Sequence, residues 1–539
     1  MPVATKCWLH SANGIERKLD MTNHIDNPGY AIGNGVFYLW HLQAAGLVGA
    51  DPTIEEQFEK PFKFWTDSLP EDPELGARVA IIDNGCTDLT HPNLNCKIED
   101  RIEFSGFLEG SVYGEDQRNV WGDPGIFQAA DLPLEAIVRN NDEISPALKD
   151  ALLQLDRGSL DAHRYHELQD PTRRFSAHGT STAGLVAADI GAESNPKFPS
   201  MISYCGLNPS ATVIPINTVY SADYAPVIMG LLYAVAKKVD IILMPRNVHE
   251  IADPGPLNDH KASVNPRATR KDLQGRSNAE RKVFEFILKK VSEHIPVVIA
   301  AGNTGSEEVV YPGRLKFEGD DDDRIKDLFV AGAGTAFGSI ASYSSGGRKD
   351  GVLLMPSDDA QIMNQKFNRP NEQDWRSRHM ETKAIGHHEG QDPFPHCPYA
   401  VLTIDIPGQY GYASQGREDT DYQDSTGAAN AGAVFMSDGN KEDLTKEAAY
   451  RSLYTVFGGT SAASAILAGI LSLCQNRYKM WKGSPDARLS GTQLAELVQK
   501  AGTSDWIPVV GPLEGNPSYE SALQILNIEA LLQLVFEQD

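Results

Sequence analysis

Thr212-Val-Ile-Pro-Ile-Asn-Thr-Val219, Ala225–Lys238 and Asp240-Ile-Ile-Leu-Met244 follow one another as strand, helix and strand. The two outer runs are apolar without two-fold alternation, the pattern of strands buried on both faces of a parallel sheet. The middle run has the length and apolar content of a crossover helix, and such a unit closes with right-handed sense. Outward from it the same pattern repeats. Arg78–Asp83, Pro296–Ala301, Leu328–Ala333 and Ala400–Asp405 read as further strands, and Ser181–Asp189 and Ala279–His294 as further crossovers. The expected fold class is α/β, a central mainly parallel sheet flanked by helices. Sites in such folds gather beyond the carboxyl ends of the strands.

The polar stretches between these elements read as loop insertions near 104–171, 250–276 and 348–399, none with an apolar pattern long enough for its own core. Tyr519–Leu534 reads as a closing amphipathic helix, and no internal repeat is visible. Residues 1–35 read as an N-terminal extension, and 36–539 as one domain. The net charge is −25, which disfavours a nucleic-acid partner and tolerates cationic or unfolded polypeptides. The first twenty residues lack the apolar stretch of an export signal, and no run is long enough to span a bilayer. Six scattered cysteines read as free thiols of a reducing compartment, so the expected location is cytoplasmic, away from membranes. Oligomeric state leaves no mark in the sequence.

Four short segments carry chemistry: Val79-Ala-Ile-Ile-Asp83-Asn-Gly85, His178-Gly-Thr-Ser-Thr-Ala-Gly184, Ala300-Ala-Gly-Asn303 and Gly458-Gly-Thr-Ser461-Ala-Ala-Ser464. Amide hydrolysis needs a nucleophile, a base that also serves as an acid, a group orienting the base, and donors for an oxyanion. Ser461 follows a glycine-rich turn and opens a small-residue helix, where its own N–H is spare. His178 opens a second such helix. Asp83 ends a strand and suits the orienting carboxylate, and Asn303 offers an amide that does not titrate. Each segment alone reads equally as a turn or a helix cap. Together, in this order and each at an element's end, they point to one site.

The order Asp, His, Asn, Ser with these flanking residues resembles that of the subtilisin-like serine proteases, and the match is to a known system rather than a derivation. Phe37–Gln43, Gly206–Thr212, Tyr311-Pro-Gly313 with Phe329–Ala333, and Ile406-Pro407-Gly408 resemble further family segments, so the likeness covers most of the chain. It implies a three-layer subtilisin-like fold, with Ser461 as nucleophile, His178 as base then acid, Asp83 orienting it, and Asn303 with the Ser461 N–H as oxyanion donors. It also implies two backbone edges for an extended substrate, Ser221-Ala222-Asp223-Tyr224 and Pro245-Arg246-Asn247. The second departs from the family's usual Ser-Leu-Gly. Arg246 either projects inward, which favours an acidic residue before the scissile bond, or outward to solvent, the commoner fate of an arginine. Asn84, Ala462 and Ala465 replace a small hydroxyl residue, a methionine and a proline of the family pattern.

The extension at 1–35 is too short for the family's long propeptide, so the layout is nearer to intracellular members, with a short inhibitory strap as one role for it. No cofactor is required. Structural calcium is a family habit, but Gly319-Asp-Asp-Asp-Asp323 lacks ordered ligand spacing and reads as a solvated acidic loop. His387, His388, His396 and Cys397 have poor spacing for zinc, and no metal ligands are assigned. The expected function is a serine endopeptidase working through an acyl-enzyme on a restricted set of protein substrates. Two rivals are a peptide ligase or macrocyclase using the same acyl-enzyme, and a catalytically silent binding protein on the same fold.

Overall fold

The computed structural model describes residues 31–32, 36–37, 39–47, 65–83, 91–94, 97–99, 102–104, 132–139, 144, 146–156, 177–189, 204–218, 224–248, 270–336, 338–341, 343–357, 401–406, 453–506 and 523–537. Ala31–Ile32 (β1) and Val36–Phe37 (β2) pair antiparallel, followed by helix Trp40–Ala44 (α1). Seven strands then build the central sheet. They are Arg78–Asp83 (β3), Ile102–Glu103 (β4), Thr212–Asn217 (β5), Ile241–Met244 (β6), Val297–Ala300 (β7), Leu328–Gly334 (β8) and Val352–Pro356 (β9). Their order is β4-β5-β3-β6-β7-β8-β9, and every neighbouring pair is parallel.

The continuous apolar runs are explained by burial on both faces. Side chains alternate across a strand, so Val79 and Ile81 enter one core while Ala80 and Ile82 enter the other. The first core holds His178–Ala187 (α4) and Gly459–Lys482 (α7). The second holds Ala225–Ala236 (α5) and the apolar side of Arg270–His294 (α6). Gly469 lets α7 approach the segment before β5, since a Cβ there would lie 2.5 Å from Leu207 Cβ. At the opposite end from Asp83, Lys479 of α7 pairs with Asp240 at 2.5 Å, both side chains buried. Burial pushes the Asp240 carboxyl up, against the pull of Lys479.

Several sequence expectations need correction. Val401–Ile404 (β10) is no member of the parallel sheet; it pairs antiparallel with Tyr454–Phe457 (β11). Its apolar run is buried beside α4, where a Cβ on Gly184 would meet Ile404. The insertion near 104–171 carries two helices, Leu134–Arg139 (α2) and Pro146–Asp156 (α3), and Leu134, Leu148, Leu152 and Leu155 join the second core. Acidic neighbours disguise that pattern in the sequence. The stretch near 348–399 begins with β9, an edge strand, and α6 starts at Arg270, inside the stretch near 250–276. Helix Gly491–Ala501 (α8) opens with a capping box, Ser490 Oγ accepting from Gln493 N–H at 3.1 Å. The chain's last described part is a hairpin of Thr503–Asp505 (β12) with Gln524–Leu526 (β13), then a helix only over Ile528–Leu534 (α9). Residues 1–30 of the extension and 358–400 lie outside the described residues. Among those described, no helix is long and apolar enough to cross a membrane.

His41 on α1 is fully buried, and neither ring nitrogen has a partner among the described residues. Burial lowers its pKa from 6.5 to about 3. Between those values the unfolded chain binds a proton that the folded one does not. Stability from this residue should therefore be complete above about pH 6.5 and fall below it, by up to ~1.4 kcal/mol per pH unit. Urea unfolding from pH 7 to 5 checks this, with a shallower pH slope expected for His41→Leu.

Candidate active site

Asp83 is the last residue of β3 and His178 the first of α4, and the two meet although they are far apart in sequence. His178 Nδ1 lies 2.6 Å from Asp83 Oδ2, with both side chains buried. A carboxylate can only accept, so Nδ1 is the donor in this contact. The edge of Phe457 packs on the imidazole at 5.3 Å between ring centroids. Phe457 ends β11, four residues ahead of Ser461, so the ring contact ties the strand leading into the serine turn to the histidine. Thr218, just past β5, donates its N–H to the Asp83 main-chain oxygen at 2.7 Å and holds the strand end.

Ser461 lies in the first turn of α7, which has four N–H groups without intrahelical partners. Gly459 N–H goes to Tyr343 Oη at 3.0 Å and Thr460 N–H to Asn303 Oδ1 at 2.8 Å, while Ala462 N–H makes the first i→i−4 bond of the helix, to Gly458 O at 3.4 Å. Ser461 N–H has no acceptor among the described residues. Asn303 Oδ1 also accepts from Thr460 Oγ1 at 2.9 Å. With the oxygen committed twice, the two N–H donors of Asn303 Nδ2 are the free end of the amide. Gly302 delivers Asn303 here at φ 109°, and a Cβ on it would lie 2.4 Å from Val310 Cγ2, so only glycine fits. Two donor groups, one backbone and one side chain, are thus available at the same turn.

The Ser461 hydroxyl donates to Pro245 O at 2.7 Å, and among the described residues it makes no hydrogen bond to His178. The nucleophile-to-base contact expected from the sequence is therefore absent in this rotamer. Pro245 follows β6, and its carbonyl is the acceptor that the hydroxyl takes. Arg246 does not reach solvent. It is buried, and its Nη1 donates to Thr218 Oγ1 at 2.6 Å. Asn247 Oδ1 is buried without a hydrogen-bond partner among the described residues. Of the other expected edge, Ser221, Ala222 and Asp223 lie outside the described residues. The ring of Tyr224 is in the core, 5.5 Å from Phe284 and 6.3 Å from Tyr311 between centroids, which leaves only its main chain for an edge.

A model of the subtilase family matches residues 75–384. The chain belongs to the subtilase family. It is a subtilisin-like serine peptidase, and its substrates are polypeptides. The matched span takes in Asp83, His178 and Asn303 and ends before Ser461, whose place rests on the geometry above. Among solved structures, a lanthipeptide protease superposes with a TM-score of 0.44 at 13% identity, covering 94% of this chain and 98% of that one. A serine protease of Aeromonas sobria gives 0.44 at 15% identity, over 93% of this chain and 67% of its own. The PatG macrocyclase domain gives 0.41 at 13%, over 88% and 95%. Likenesses this distant add nothing to the assignment. No curated protein sequence matches the chain.

Sequence reasoning missed the residues that hold this subtilase's site from behind. Thr460 was legible only as the neighbour of Ser461, and Tyr343, Thr218 and Ser357 carry no local motif. The acidic run at 319–323 turns Asp321 toward Arg324 at 2.6 Å and Lys326 at 3.1 Å. Among the described residues no three acidic, histidine or cysteine side chains converge as metal ligands.

Thr460 Oγ1 also accepts from Gly302 N–H at 3.1 Å, in buried surroundings. Thr460→Val strands that N–H and removes one of the two hydrogen bonds to Asn303 Oδ1, so a stability loss of about 1–3 kcal/mol is expected. Urea unfolding measures it, with a smaller loss in Thr460→Ser.

Proposed function

We propose that the chain is a serine endopeptidase hydrolysing peptide bonds through an acyl-enzyme on Ser461, with Asp83 and His178 completing the triad. The observation carrying this reading is the buried 2.6 Å contact between Asp83 and His178. It sits beside a helix start where one N–H, that of Ser461, is uncommitted. Asp83 fixes the tautomer and stabilises the imidazolium that forms. The Ser461 hydroxyl leaves Pro245 O, gives its proton to His178 Nε2 and bonds through Oγ to the substrate carbonyl carbon. The oxygen that becomes negative takes hydrogen bonds from Ser461 N–H and Asn303 Nδ2. The C–N bond then breaks as His178 returns the proton to the leaving amine. Water, deprotonated by the same imidazole, bonds to the acyl carbon, and the bond to Ser461 Oγ breaks as the imidazolium returns its proton to that oxygen and the acid leaves.

The released Pro245 carbonyl faces the serine and suits a main-chain N–H of an extended substrate, which is the backbone pairing expected for this edge. Buried Arg246 and the unpartnered Asn247 Oδ1 make the wall polar, and on that basis we read the substrate range as restricted. A polar buried wall rejects side chains that leave its groups unpaired.

Labelling by a fluorophosphonate probe should be lost in Ser461→Ala. Turnover of a peptide substrate should fall by about 10³-fold in His178→Ala and about 10²-fold in Asn303→Ala. Mass spectrometry of the products should show cleaved rather than joined peptides. Undiminished labelling of Ser461→Ala would sink the proposal.

A further inference from the structure

The turn ahead of Ser461 is built on two glycines, Gly458 at φ −144° and Gly459 at φ 76°. No residue pair has more backbone freedom, yet three hydrogen bonds close on Gly459. Its N–H donates to Tyr343 Oη at 3.0 Å, its carbonyl accepts from Ser357 Oγ at 2.8 Å, and the two hydroxyls are 3.0 Å apart. Ser357 spends its single proton on the Gly459 carbonyl, which can only accept. Between the hydroxyls, Tyr343 is therefore the donor. The result is a closed ring running from Gly459 N–H through Tyr343 and Ser357 back to Gly459 C=O, with every bond pointing the same way round. Such chains strengthen one another in a low dielectric. Tyr343 and Ser357 are both buried.

We infer that Tyr343 and Ser357 are positioning residues that set the direction of the Ser461 N–H and hydroxyl by clamping Gly459. This inference rests on the reading of Ser461 as nucleophile. The peptide between Gly459 and Thr460 is held at both ends, its oxygen by Ser357 and its N–H by Asn303. The next N–H in the chain is that of Ser461. Its aim is thus inherited from a peptide plane that cannot turn while the ring is closed. Tyr343 also reaches the other donor, because its main-chain oxygen accepts from Gly305 N–H at 2.6 Å, two residues past Asn303. Ser345 Oγ accepts from Thr304 N–H at 3.1 Å. One loop between β8 and β9 therefore reaches both parts of the oxyanion site, through the Tyr343 hydroxyl on one side and through the Tyr343 carbonyl and Ser345 Oγ on the other. Opening the ring leaves the second arm intact. Binding should then survive while bond formation slows.

The test is the rate of reaction with a fluorophosphonate probe, resolved into kinact and KI, for wild type, Tyr343→Phe, Ser357→Ala and the double variant. Each single variant should lower kinact by about tenfold or more with KI within about twofold. The double variant should be little worse than the poorer single one, since a ring opened once is open. Ser357→Ala removes one oxygen and keeps the test decisive should the tyrosine variant fail to fold, which circular dichroism reports. Folded variants with kinact within about twofold of wild type, a loss carried by KI, or losses that multiply in the double variant would each overturn the inference. A wild-type protein that does not react at all instead removes the nucleophile reading itself.

Discussion

Helix α7 is buried from its first residue through Arg477, and a helix enclosed in that way must find partners for its end groups inside the protein. The site follows from how the first turn solves this. Among its spare N–H groups, those of Gly459 and Thr460 are taken by Tyr343 and Asn303, and the next one along the chain, left over, belongs to Ser461. Because Asn303 gives its oxygen to the turn, its nitrogen faces the other way. The same satisfaction of buried donors that lets the helix exist therefore leaves one side-chain donor group and one backbone donor together beside a serine. At the other end, the Lys479–Asp240 pair fixes how far the helix is inserted. A buried pair of this kind contributes little net stability, since desolvation offsets its attraction. Its effect here is on position along the axis.

The sheet was legible from the sequence because strands buried on both faces cannot hide their apolar runs. Arg78–Asp83 and the run starting at Thr212 were readable to within a residue or two. Val401–Ile404 has the same composition but a different partner, and composition alone does not specify pairing. Helices α2 and α3 escaped notice because each buries one stripe while presenting acidic residues around it. In α7, by contrast, the small-residue run showed openly, as close packing against Leu207 requires.

The residue types of the site were also legible, while their mutual arrangement was not. Asp83, His178, Asn303 and Ser461 each stand at an element's end, and a strand terminus or helix start leaves a recognisable trace. The contacts supporting them come from hydroxyls on other elements, such as Tyr343 and Thr218, whose roles depend on a separation in space that no local pattern encodes. The rotamer of Ser461 belongs to the same class, being decided by the carbonyl of Pro245.

Arg246 has a consequence for how this chain can change over time. It follows the carbonyl that holds the Ser461 hydroxyl, and it grips Thr218, which in turn secures the main chain at Asp83. A replacement of Arg246 would at the same moment remove a hydrogen bond from the residue that holds the strand end at Asp83. On the proposed reading of this wall and of Asp83, diversification here is epistatic with the carboxylate, and change at Arg246 is coupled to change at Thr218.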